Sequence, residues 1–115
     1  MGESLVTISN KALKRVDLVT VNGRIDSSNA SELVDHFQSL ADDGRYQLVL
    51  EASGIDYMSS AGLRAMVAAL RECKKHSGDL RVACPSSRMV EVLSLAGLDS
   101  VFGVYDDSLS AVGSY

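Results

Sequence analysis

Near the middle of the chain the sequence runs Ile55-Asp56-Tyr57-Met58-Ser59-Ser60-Ala61-Gly62-Leu63-Arg64. Two adjacent hydroxyls, a carboxylate and a glycine fall between an apolar, strand-like run and a helical pattern. The first chemistry open to such hydroxyls is nucleophilic attack. A serine on a strand-to-helix turn resembles a nucleophile elbow, but the Gly-x-Ser-x-Gly pattern is absent. A serine nucleophile also needs a base. His36 falls inside a helical stretch. His76 falls about 24 Å from Ser60 along a straight helix, at ~1.5 Å per residue. Neither is placed to serve, so no catalytic residue is expected and the chain reads as something other than an enzyme. Metal and nucleotide motifs are missing as well: no Cys-x-x-Cys, no His-Glu-x-x-His, no Gly-x-x-x-x-Gly-Lys-Ser/Thr and no Gly-x-Gly-x-x-Gly. Asp26 and Asp56 can meet at one end of a sheet, yet turns and caps account for both. Neither metal nor cofactor is expected.

Two readings of the serines remain. One of them can cap the following helix, its oxygen accepting a backbone N–H that would otherwise be orphaned, worth about 1 kcal/mol. Gly62 then permits close approach of helix to sheet. The other serine can be modified. A helix N-terminus offers free N–H groups and positive potential, so it accommodates a phosphate. The modification adds about −1.5 to −2 charge. On an exposed turn that changes a binding surface without refolding the domain, and each ~1.4 kcal/mol of weakened contact is tenfold in affinity.

The elements that position these residues follow from periodicity. Ser4 to Ser9 alternates weakly and reads as an edge strand. Val16 to Val21 is β-branched and apolar, ended or bulged at Asn22-Gly23. Ala30, Leu33, Val34, Phe37 and Leu40 form a helical stripe. Asp26 to Asn29 offers N-caps for it, Asn29 and Glu32 have near-capping-box spacing, and Asp42-Asp43-Gly44 closes it. Leu48-Val49-Leu50 reads as a strand covered on both faces. Leu63, Met66, Val67, Leu70 and Cys73 make a second stripe, ending in Arg71, Lys74, Lys75 and His76 with Gly78 as its stop. A strand over Leu80 to Cys84 follows. A helix from Ser86 to Ala96 comes next, with Met89, Val90 and Leu93 inward. A strand from Val101 to Tyr105 and a short helix from Asp107 to Val112 complete the chain. Strands alternating with helices imply parallel pairing through right-handed crossovers. The strand carboxyl ends should then bring Gly23–Asn29, Ser53–Ser60, Pro85–Arg88 and Asp106–Ser108 together.

The 115 residues carry 15 acidic and 11 basic side chains, a formal net charge of −4, with 46% hydrophobic residues. One soluble domain over 1–115 is expected, with no basic footprint for nucleic acid. No run approaches the ~18 apolar residues of a spanning helix. The start lacks the pattern of a signal peptide or a myristoylation site. Cys73 and Cys84 read as small fillers or surface thiols in a reducing compartment, so a cytoplasmic location is expected. Asn29-Ala30-Ser31 matches a glycosylation sequon by chance.

The stretch Asp56-Tyr57-Met58-Ser59-Ser60-Ala61-Gly62-Leu63 resembles the signature of STAS domains, specifically the bacterial anti-sigma factor antagonists. Gly23-Arg24-Ile25-Asp26, just before a helix, resembles a second recurring element of that family. The resemblance covers nearly the whole chain. It implies an α/β STAS fold: a mixed, mostly parallel sheet with an N-terminal edge strand pair and alternating helices. It implies a monomeric switch that, unphosphorylated, binds an anti-sigma factor serine kinase and frees the sigma factor. Phosphorylation at Ser60 would end the interaction and a PP2C-type serine phosphatase would restore it. Asp26, Asp56, Met58, Ser59, Gly62 and Arg64 would form the partner-binding border. Ser59 stands where many members carry Asp, so it is the alternative acceptor, and the C-terminal helix looks short. STAS domains also act on non-sigma outputs, in stress-signalling complexes, secretion control or beside transporters. A nucleotide-binding protein using the same cleft is the reading from a different class.

Overall fold

The computed structural model describes residues 5–115. Strands β1 (Val6–Ala12) and β2 (Asp17–Ile25) form an antiparallel hairpin, and β2 pairs in parallel with β3 (Gln47–Met58). Strands β4 (Asp79–Ala83) and β5 (Val104–Tyr105) continue the sheet in parallel, so its order is β1-β2-β3-β4-β5. Helices α1 (Ala30–Asp42), α2 (Ser60–Lys75) and α3 (Ser87–Leu95) connect the parallel strands, and α4 (Ser108–Gly113) follows β5. Crossovers of one hand, stepping one way across a sheet, put their helices on one face. The burial agrees. Leu33 and Phe37 of α1, Met66 and Leu70 of α2, and Met89 and Leu93 of α3 share one core with Val19, Leu48, Leu50, Leu80 and Val82. On the other face Ala111 of α4 packs with Val16, Val49 and Ala83. This is the α/β arrangement expected, with its antiparallel edge pair and parallel remainder.

Several boundaries differ from expectation, each for a local reason. β1 extends to Ala12 because all seven of its residues find partners on β2; Ser4, its expected start, lies outside the described residues. Val34 and Val90, expected inward, are 49% and 52% exposed. Ala30, Leu33, Phe37 and Leu40 suffice to bury α1, and in α3 the partly buried Val92 packs against the core where Val90 was expected. The last strand shrinks to Val104–Tyr105, because Val101 bonds back to the Leu98 carbonyl in a turn and is 45% exposed. The N–H of Gly78 bonds to the Cys73 carbonyl and that of Ser77 to Lys74, a Schellman ending of α2. The left-handed position is therefore Ser77, with φ 64°, rather than Gly78. Gly78 is required for another reason: a Cβ there would collide with the Tyr46 backbone.

The strand that matters most for the site is longer than its apolar triplet. β3 continues through Ser53, Gly54 and Asp56 to Met58. Opposite it, Asn22 pairs with Gly54 and Arg24 with Tyr57, where an unbroken register from Thr20–Glu51 would have paired Asn22 with Ser53 and Arg24 with Ile55. β3 thus carries two bulges, each adding one residue against β2. They bring Ala52, Ile55 and Met58, three apart in sequence, onto the same buried face.

Candidate functional site

The site grows from the last rung of the β2–β3 ladder, where Ile25 opposes Met58. The Ser59 N–H then donates to the Ile25 carbonyl at 2.9 Å, and the chain turns into α2. Ser59 has extended backbone (φ −80°, ψ 169°), and its Oγ accepts the Gly62 N–H at 3.2 Å. Ser59 is thus the N-cap. Ser60 is the first helical residue, exposed, and its hydroxyl has no hydrogen-bond partner among the described residues. One turn of chain has separated two identical side chains into a buried-side brace and a free hydroxyl. Gly62 sits against the sheet, where a Cβ would collide with Met58 Sδ and come within 2.8 Å of Ile25 Cγ2.

The neighbouring turn is built by Asn29, which is buried. Its side chain does not cap α1. Its Oδ1 accepts the Asp26 N–H and its Nδ2 donates to the Arg24 carbonyl, both at 2.9 Å, folding the Arg24–Asp26 turn back onto the helix start. Asp26 projects from that turn. Its carboxyl is held below the usual carboxylate range first by the Ser28 hydroxyl and backbone N–H, with Arg24 adding to the effect. Arg24 lies 3.5 Å from Asp26 and covers the Tyr57 ring at 4.2 Å from its centroid. Asp56 is exposed and makes no hydrogen bond or ion pair among the described residues.

The fold agrees with a known family. The STAS domain model matches residues 7–111 of the chain. The chain belongs to the STAS domain family. Over 98 residues, covering 85% of this chain and 84% of the relative, it is 26% identical to BtrV of Bordetella bronchiseptica, provisionally named an anti-sigma factor antagonist. The crystal structure of an anti-sigma factor antagonist from Mycobacterium paratuberculosis superposes with a TM-score of 0.85 at 25% identity, over 95% of this chain and 92% of that one. SpoIIAA, the Bacillus cell fate determinant, shares the fold in its phosphorylated form with a TM-score of 0.75 at 15% identity, over 94% of this chain and 98% of that one.

In this STAS domain the expected border residues divide into two layers. Asp26, Asp56, Ser59, Ser60 and Arg64 reach the surface. Met58, expected at the partner surface, is 3% exposed and lies with the buried Gly62 beneath it, so these two seat the helix from below. Beyond Ser60 a groove of about 440 Å³ runs along α2, lined by Leu63, Arg64, Val67 and Arg71 and closed by Leu98. It leads into a second, lined by Leu70, Lys74 and Val101.

The convergence of four polar segments is partial. β4 stops pairing at Glu51–Ala83, whereas β3 runs on seven residues to Met58, roughly 20 Å further at ~3.3 Å each. The start of α3 bridges this step: Ser86 donates from its N–H to the Ala52 carbonyl (3.1 Å) and from its hydroxyl to the Ile55 carbonyl (2.7 Å). Its Oγ also accepts the Met89 N–H as N-cap. Asp107 caps α4 beside β5, at the shorter level of the sheet. Neither histidine faces Ser60. His36 bonds to Asn10 of β1, and His76 stacks on Tyr46 with centroids 3.9 Å apart. The Cys73 thiol is buried and pushed up to about 11, chiefly by that burial, so it fills the core. No helix of the described residues is long and apolar enough to cross a membrane. Sequence reasoning missed the bridging bond of Ser86 to Ile55 and the backward-facing Asn29. Ser86 carried a signal, an N-cap type directly after Pro85; the Asn29 contact depends on a turn that only the folded chain defines.

Proposed function

We propose that this STAS domain is an anti-sigma factor antagonist that works by partner switching. Unphosphorylated, it binds an anti-sigma factor that is a serine kinase, and the sigma factor is released. The kinase brings ATP to Ser60; the Oγ–P bond forms, the bond from the γ-phosphorus to ADP breaks, and the hydroxyl proton leaves to a base on the kinase. The phosphorylated domain no longer binds, and a PP2C-type serine phosphatase restores it. The chain supplies an acceptor and a surface, so it is a substrate and not an enzyme.

The observation that carries this reading is the division between Ser59 and Ser60. Ser59 already holds the Gly62 N–H, and phosphorylating it would cost α2 its cap. Ser60 is exposed and unengaged at the first residue of α2. Arg64 lines the same groove. Asp26 and Asp56 lie at the β2 and β3 ends that lead into the two helix starts, so a new dianion would alter the charge of this surface. The names of BtrV and the Mycobacterium paratuberculosis protein support the same role. The test uses the serine kinase recovered with the protein from its own host. Kinase and ATP are expected to add one phosphate, read by intact mass, and Ser60→Ala to abolish it. Full labelling of Ser60→Ala at Ser59 would reverse the assignment. Ser60→Asp is expected to weaken kinase binding by tenfold or more in calorimetry, about 1.4 kcal/mol or above; unchanged affinity would sink the charge switch.

A further inference from the structure

We propose that phosphorylation of Ser60 closes an intramolecular latch, in which Arg64 one turn along α2 takes the phosphate. The inference rests on Ser60 as the acceptor and adds what the phosphate does once it is there.

Ser60 and Arg64 stand four apart on α2, the spacing at which helix side chains meet on one face. Both are exposed, and both line the same groove. Arg64 makes no hydrogen bond or ion pair among the described residues, although the chain carries excess acid. Four arginines are engaged: Arg24 with Asp26, Arg45 with Asp17, Arg81 with Asp79 and Arg88 with Glu91. Of the other two without such a partner among the described residues, Arg15 lies before β2, far along the chain, and Arg71 about two turns beyond Arg64. The polarity is also the favoured one, because the acid would stand N-terminal to the base and so match the helix dipole. A phosphate presents three strong acceptor oxygens, and a guanidinium offers a fork of donors that can hold two of them at once.

The surrounding charges leave this pair free to form. Arg24 and Asp26 hold each other on the β2–α1 turn, as do Arg88 and Glu91 on α3. Asp56, exposed on β3, has the same sign as the phosphate and offers it no competing cation. Arg71 shares the groove but lies eleven residues on, about 16 Å at ~1.5 Å per residue, beyond direct reach. The latch alters the surface twice. A hydroxyl becomes an anion, and a free guanidinium is withdrawn. A partner that used Arg64 before phosphorylation would find it occupied afterwards.

The test places phosphoserine at position 60 during synthesis, so that it does not depend on a kinase. The ³¹P chemical shift is followed against pH in the wild-type sequence, Arg64→Gln and Arg71→Gln. A neighbouring cation favours the dianion and lowers the second phosphate ionisation. We expect the midpoint in the wild-type sequence to lie about 0.15 to 0.4 of a pH unit below that of Arg64→Gln at low salt. The gap should shrink near ~1 M salt, where screening is short-ranged. Arg71→Gln should titrate with wild type, and Arg64→Lys should retain part of the shift. Coincident titrations of wild type and Arg64→Gln, both folded by circular dichroism, would overturn the latch. Failure of the kinase to label Ser60 would strike the acceptor assignment instead, so the two failures are distinguishable.

Discussion

Ser59 and Gly62 share one hydrogen bond, yet each holds the first turn of α2 in its own way. Ser59 satisfies a backbone donor, and its replacement by alanine is expected to destabilise the domain by about 1 kcal/mol. Gly62 leaves room for Met58 and Ile25. An alanine there would overpack by about 1–3 kcal/mol. It would recover roughly 1 kcal/mol of helix propensity. Gly62→Ala is therefore expected to lower the urea midpoint, and an unchanged or raised midpoint would show that the sheet yields. At this scale the sequence was legible in type more than in assignment. It placed a serine cap at the strand-to-helix junction. Which serine caps depends on where the backbone leaves the extended region, and that is decided by the Ser59 N–H bonding to Ile25 on another strand. Met58 reads as surface in a linear motif because nothing in the motif says which face the bulged strand presents.

The helices were legible at the scale of elements because an apolar stripe and a Gly or polar stop agree along a local stretch. β3 was not, beyond its first apolar residues. Its bulges convert strand alternation into a spacing of three, which matches neither a strand nor a helix. The bulges answer to β2, far away in sequence. The end of α2 shows a related gap: Gly78 looked like the stop, but Ser77 adopts φ 64°. An L-residue pays roughly 1–2 kcal/mol in that conformation, which glycine largely avoids. Ser77→Gly is thus expected to raise stability by up to about 1 kcal/mol, measured by denaturant unfolding, whereas Gly78→Ala should lower it by forcing a clash with Tyr46.

Across the whole molecule, a set of part-buried fastenings lies at the end of the sheet away from Ser60. Asp17, buried where β2 begins, is paired with Arg45 and accepts from Asn10 at 2.8 Å. Arg45 also donates to the Leu13 carbonyl, tying the hairpin to the α1–β3 turn. The Tyr115 hydroxyl bonds to the Leu48 and Asp79 carbonyls, at the starts of β3 and β4. Removing one partner of a buried pair costs about 3–5 kcal/mol. Arg45→Ala is expected to lose an amount in the lower part of that range, since Arg45 is partly exposed, while Ser60 labelling persists wherever the variant stays folded. Loss of labelling in the folded variant would mean that the two ends are coupled. The step in the sheet carries a different consequence. Past Glu51, β3 has no β4 beside it, and an unpaired strand edge is a template for a strand from another molecule. The two hydrogen bonds from Ser86 occupy that edge. Folding order matters accordingly: until α3 docks, the strand that leads into Ser60 is open to pairing with other copies, and Ser86 is the residue that ends this vulnerability.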